Sequence, residues 1–93
     1  MEWLVRLDIR PPDGTSDAAV AERVAAESDA ARSFAEAGAL IRIWRIPGEW
    51  ASWSIWRFED ATSAHAALSS LPLWPWARMT VHPLAVHPND PLS

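Results

Sequence analysis

The chain has no cysteine, which removes disulfide frameworks, thiol nucleophiles and Cys-based zinc sites from consideration. It has no lysine either: its eight basic residues are all Arg, scattered along the sequence, and the formal net charge is −4. Neutralising phosphates needs a clustered basic surface, so a general nucleic-acid binder is set aside. No window reaches the roughly 18 consecutive apolar residues of a membrane span, and the amino terminus reads as a strand instead of a basic segment followed by an apolar one. The expectation is a cytoplasmic protein with no membrane or nucleic-acid partner. Glycine is scarce, at three residues; there is no Gly-rich phosphate loop, and Pro47-Gly48 reads as a turn. His65, His82 and His87 form no recognisable metal motif and read as structural. No repeat or low-complexity tract is visible.

Apolar surface is what the chain has in excess. Its 93 residues make one expected domain, 1–93, and a lone domain of that size buries only about 60–65% of the surface of its unfolded chain. The composition is nevertheless 49% hydrophobic with seven Trp, and each aromatic can bury about 150–250 Å². That is more than a small monomer easily hides, so a homo-oligomer is expected.

The segment 2–9 alternates Trp3, Val5, Leu7 and Ile9 with Leu4, Arg6 and Asp8, the period of a strand, and Pro11-Pro12-Asp13-Gly14 stops it. Ser16 can cap an Ala-rich helix that Gly38 ends. Strands are predicted over 40–46 and 50–58, joined as a hairpin through Pro47-Gly48-Glu49. Asp60 or Thr62 can cap a shorter helix reaching about Ser70, and 78–84 reads as a last strand before a Pro-rich tail. The order βαββαβ is the ferredoxin-like α+β arrangement, an antiparallel sheet with two helices on one face. The third strand carries Trp50, Trp56 and Phe58 on one face and Trp53 and Ile55 on the other. Helices cover one face, so the other calls for a partner sheet, as in a dimeric α/β barrel or a higher ring.

The long helix has residues 20, 24, 27, 31, 34 and 38 on one face. Five are apolar or glycine: Val20, Val24, Ala31, Phe34 and Gly38. The sixth is Glu27. A carboxylate in an apolar stripe is partly desolvated, which raises its pKa towards the range useful for accepting and returning a proton. The ordinary alternative is that Glu27 leans outward and pairs with Arg23 one turn earlier, worth only about 0.2–0.5 kcal/mol.

The run Leu71-Pro72-Leu73-Trp74-Pro75-Trp76, followed by Val81 and His87-Pro88, resembles the Leu-Pro-Leu-Phe-Pro-Tyr and terminal His-Pro of muconolactone Δ-isomerases. Val5-Arg6-Leu7-Asp8, Trp44-Arg45, Gly48 and His65 also fall where that family has matching or similar residues. The resemblance covers nearly the whole chain without gaps. It implies a ferredoxin-like fold assembled into a ring, from a dimer up to a decamer, and a cofactor-free proton shift that moves the double bond of an unsaturated lactone. The family's catalytic glutamate falls on Glu27.

Three positions depart from the family. Trp50 and Ser52 stand where it has a tyrosine and an asparagine, and Arg42 stands where it has a histidine. Trp only donates a hydrogen bond and Ser offers a shorter hydroxyl. The expectation is therefore a small-molecule isomerase acting on a lactone or related enolisable carbonyl compound other than muconolactone, with a larger, flatter or less polar ligand suiting the more aromatic cleft. Glu27 is the expected acid/base, and Ser52 or Trp50 the expected donor to the developing enolate. Arg42 or Arg45, flanking Trp44, would hold an acidic group, at most one of the two reaching any given cleft because they point to opposite faces of a strand. Trp44 and Phe34 are further candidate substrate contacts. Two alternatives keep the fold: a cyclase or isomerase of a polyketide-like intermediate, and a non-catalytic ligand-binding or assembly protein whose indoles fill the cleft.

Overall fold

The structure is a computed structural model that describes residues 1–92. The elements run β1 (Glu2–Ile9), α1 (Asp17–Glu36), β2 (Leu40–Arg45), β3 (Ala51–Arg57), α2 (Ala61–Ser69) and β4 (Ala77–Leu84), with one 3₁₀ turn, Trp74–Trp76, leading into β4. The strands form one antiparallel sheet in the order β2-β3-β1-β4. This is the ferredoxin-like arrangement expected from the sequence.

Local chemistry sets the helix ends. The Ser16 hydroxyl accepts the Ala19 N–H at 3.1 Å, satisfying one of the free donors of the first turn of α1. At the other end Gly38 adopts φ +83°, the Gly38 N–H bonds the Ala35 carbonyl at 3.1 Å, and the Ala39 N–H bonds the Phe34 carbonyl at 2.9 Å. Those two bonds make a Schellman cap, and its left-handed residue is the one position there that asks for glycine. Of the two candidate caps for α2, the sequence uses Asp60, whose Oδ1 accepts the Ser63 N–H at 2.7 Å.

The core lies between the helices and the inner face of the sheet. Trp3, Val5, Leu40 and Trp56 come from the strands, Ala64 and Leu68 from α2, and Leu71 from the segment after it. Phe34 meets Trp56 edge-on at 5.4 Å, and Phe58 stacks on Trp56 at 5.6 Å. None of the residues of α1 is fully buried. The helix closes onto the sheet around Phe34 and leaves an opening one to three turns earlier.

One irregularity decides which side chains face that opening. Leu40 pairs with Trp56 but Arg42 pairs with Ile55, so Ile41 is an extra residue, a β-bulge, and the alternation of β2 shifts by one beyond it. Ile43 and Arg45 consequently share the inner face with Ser54 and Ser52, while Arg42 and Trp44 share the outer face with Ile55 and Trp53. Outer-face cations lie over indoles: Arg42 sits 4.7 Å from the Trp44 ring and Arg6 5.6 Å from the Trp53 ring. Arg6 also pairs with Asp8 at 2.9 Å and Glu49 at 3.0 Å. Among the described residues, no helix is long and apolar enough to cross a membrane.

Candidate active site

The opening between α1 and the sheet is a cleft of about 210 Å³. Its floor is apolar, built from Val5, Leu7, Leu40, Trp56, Leu68 and Leu71. Polar groups converge on it from three elements: Glu27 and Ser28 from α1, Arg45 from β2, and Ser52 and Ser54 from β3. Trp50, 45% exposed, stands at the rim.

Glu27 is half-buried, and its Oε1 accepts the Leu73 backbone N–H at 3.0 Å. Burial holds the carboxyl above the ordinary glutamate range, and the Leu73 N–H, by favouring the charged form, offsets part of that rise. Oε2 has no protein hydrogen bond among the described residues, so one carboxylate oxygen is fixed by the backbone and the other is left to the cleft. The outward-leaning pairing with Arg23 is not formed. Arg23 instead donates to the Pro72 carbonyl at 2.8 Å and lies over the Trp76 ring at 4.5 Å.

The structure brings Trp50, Ser52 and Arg45 into the lining of the same cleft as Glu27. It does not bring Arg42 or Trp44 there, because the bulge at Ile41 turns both to the outer face. Phe34 is not a cleft residue either: it is spent on the edge-on contact with Trp56 that closes the far end of the layer.

Two further groups contribute that the sequence pattern did not single out. The Leu73 N–H is a backbone group, and only the position of the 71–76 segment relative to α1 reveals it. Ser54 is 3% exposed and accepts the Trp56 Nε1–H at 2.8 Å. The alternation of β3 could have placed it on the same face as Ser52, two residues away. His65 meets Trp74 edge-on at 5.8 Å, and His87 Nδ1 accepts the Asn89 N–H at 3.0 Å; neither lines the cleft.

The geometry can be set beside known proteins. The muconolactone delta-isomerase family model matches residues 1–90. The chain is 34% identical over 90 residues to the muconolactone Delta-isomerase of Cupriavidus pinatubonensis, covering 97% of this chain and 98% of that one. It is 33% identical to muconolactone Delta-isomerase 1 of Acinetobacter lwoffii, covering 97% and 94%. A crystal structure of muconolactone isomerase superimposes with a TM-score of 0.92 at 27% identity, covering 100% of this chain and 97% of the other. These relatives are all named for muconolactone, so the expectation that muconolactone itself is not the substrate gains no support from them. Matched from residue 1 to residue 90 and superimposing end to end, the chain belongs to the muconolactone delta-isomerase family, a family of isomerase enzymes.

Proposed function

We propose that this chain shifts the double bond of a small unsaturated lactone carrying a carboxylate, with muconolactone, the compound in its relatives' names, as the first candidate. The observation that carries the reading is Glu27: a half-buried carboxylate with one oxygen pinned by the Leu73 N–H and the other open to an apolar cleft. The reaction is redox-neutral. Glu27 takes a proton from the ring carbon that the carbonyl acidifies, the electron pair delocalises into a dienolate, and the same carboxyl returns the proton two carbons along. Ser52 and the Trp50 indole N–H, both from residues lining the cleft, are the proposed donors to the developing enolate oxygen, the kind of preorganised contact that contributes most to such reactions. Arg45, rather than Arg42, is the cation for the substrate carboxylate.

The cleft volume of about 210 Å³ lies below the roughly 300–1,000 Å³ typical of sites for drug-sized ligands. That favours a one-ring acid over a polyketide of several fused rings, and over the larger ligand that Trp50 alone suggested. The exposed position of Trp50 at the rim also argues against a cleft filled by its own indoles. The chain is further proposed to act as a homo-oligomer. Leu4, Trp53 and Ile55 lie on the outer sheet face with the 44%-exposed Trp44, and the helices cover only the other face.

The test is direct: purified protein is assayed on muconolactone alongside Glu27→Gln. Turnover by the wild type and its collapse in the variant support the reading. A wild type inert towards muconolactone and other unsaturated γ-lactones contradicts it.

A further inference from the structure

Arg23 and Glu27 are one helical turn apart, yet they meet through a third party. Arg23 Nη1 donates to the Pro72 carbonyl at 2.8 Å, and the Leu73 N–H donates to Glu27 Oε1 at 3.0 Å. The Pro72 carbonyl and the Leu73 N–H are the two ends of a single peptide group. We propose that Arg23 is a positioning residue for Glu27, acting through the Pro72–Leu73 peptide: the guanidinium fixes the orientation of that peptide plane and polarises it, so that its N–H is a stronger donor to the carboxylate. This deepens the proposed function and rests on Glu27 being the proton-transfer group.

Three observations support the relay. Hydrogen bonds that share a polarisable group strengthen one another, more so away from bulk water, and both bonds here are part-buried. The guanidinium is itself held, stacked over the Trp76 ring at 4.5 Å in a notch with Glu22 and Pro72, so its charge is presented at a fixed point. The segment it grips is also rigid at its far end, where the Trp74 and Trp76 N–H groups bond the Leu71 and Leu73 carbonyls at 2.9 Å. The charged environment of Glu27 is otherwise sparse. Among the described residues Arg45 lines the same cleft from β2, Arg23 and Glu22 precede Glu27 on α1, and the cleft residues contributed by β1, β3, α2 and the 71–73 segment are all uncharged. Removing Arg23 therefore weakens the main support of the charged form, and Glu27 should hold its proton to higher pH.

The experiment is a ¹³C NMR titration of the Glu27 side-chain carboxyl in the full chain, with the Leu73 amide proton followed in parallel, for wild type, Arg23→Met, Arg23→Lys and Trp76→Leu. Arg23→Met is expected to raise the Glu27 midpoint by about half a pH unit and move the Leu73 amide proton upfield, with the acid limb of kcat/KM following the midpoint. Arg23→Lys, which keeps the charge and a donor, is expected to recover most of both shifts. If Arg23→Met does not fold, Trp76→Leu, which frees the guanidinium but keeps its charge, is expected to give the same two changes at smaller size. An unmoved midpoint overturns the proposal. So does a midpoint that rises while the Leu73 amide stays put, since that is Coulomb attraction through space without the peptide. Failure of the parent reading looks different: Glu27→Gln would keep full turnover whatever the titrations show.

Discussion

The layer between α1 and the sheet is used in two opposite ways along its length. Around Phe34 it is filled: Phe34, Trp56 and Phe58 interlock at centroid distances of 5.4 and 5.6 Å, and Leu68 and Leu71 complete the packing. Around Glu27 it is open, and a few polar and charged groups converge over an apolar floor. Both ends face the same stripe of the same helix. Large aromatic side chains at one end hold helix and sheet together, and that contact keeps a carboxylate half-buried at the other without the helix closing over it. Stability is concentrated where there is no chemistry, and desolvation where there is.

Substitutions can sharpen or break this contrast. At the open end Glu27→Gln keeps the shape and can still accept the Leu73 N–H, but it cannot take a proton, so turnover should drop about 10²–10⁴-fold in a steady-state assay. At the filled end Trp56→Ala should cost about 3–5 kcal/mol in denaturant unfolding, because Trp56 is 4% exposed at the centre of the aromatic cluster. Because Trp56 also forms part of the cleft floor, turnover per folded molecule should fall too, but by less than in Glu27→Gln. A Trp56 variant that kept its stability would dissolve the contrast.

Arg45→Gln should raise KM for a carboxylate-bearing lactone roughly 10–100-fold, the scale of a lost charge-assisted hydrogen bond. Arg42→Gln, across the bulge on the outer face, should leave KM unchanged within one chain's own cleft. The smallest effect concerns pH. A carboxyl whose folded pKa lies above its unfolded value binds its proton more readily in the native state, so its contribution to stability is full below the unfolded pKa and falls as pH rises through the folded one. Glu27 is shifted in that direction by burial. Glu27→Gln should therefore melt higher than wild type at neutral pH, by the equivalent of about 1 kcal/mol or less. The gain should shrink towards zero below the ordinary glutamate pKa of about 4.3. Melting temperatures across a pH series check this.

Much of this was legible because it is written locally. The alternation of β1, the Ser16 and Asp60 caps and the Gly38 stop are short-range signals, and the structure uses each of them. Glu27 stood out because one acidic residue interrupts an apolar helical stripe. The losses are non-local. The Ile41 bulge exists only in the pairing of β2 with β3, and without it no count along the strand tells that Arg45 rather than Arg42 shares the inner face with Leu40. Phe34 shares the stripe with Glu27, but two turns of helix separate a packed position from an open one, and only the partner surface says which is which. Leu73 contributes through its backbone, where residue type carries no signal.

The central claim, that Glu27 moves a proton on a lactone bound in this cleft, is tested most directly in D₂O. Muconolactone is incubated with wild type or Glu27→Gln, and ¹H NMR follows isomerisation and deuterium entry at the ring carbons beside the double bond. The account expects the wild type to isomerise the lactone and the variant to lose at least about a hundredfold in both readouts while remaining folded. A folded Glu27→Gln variant that isomerises and exchanges at the wild-type rate would contradict it.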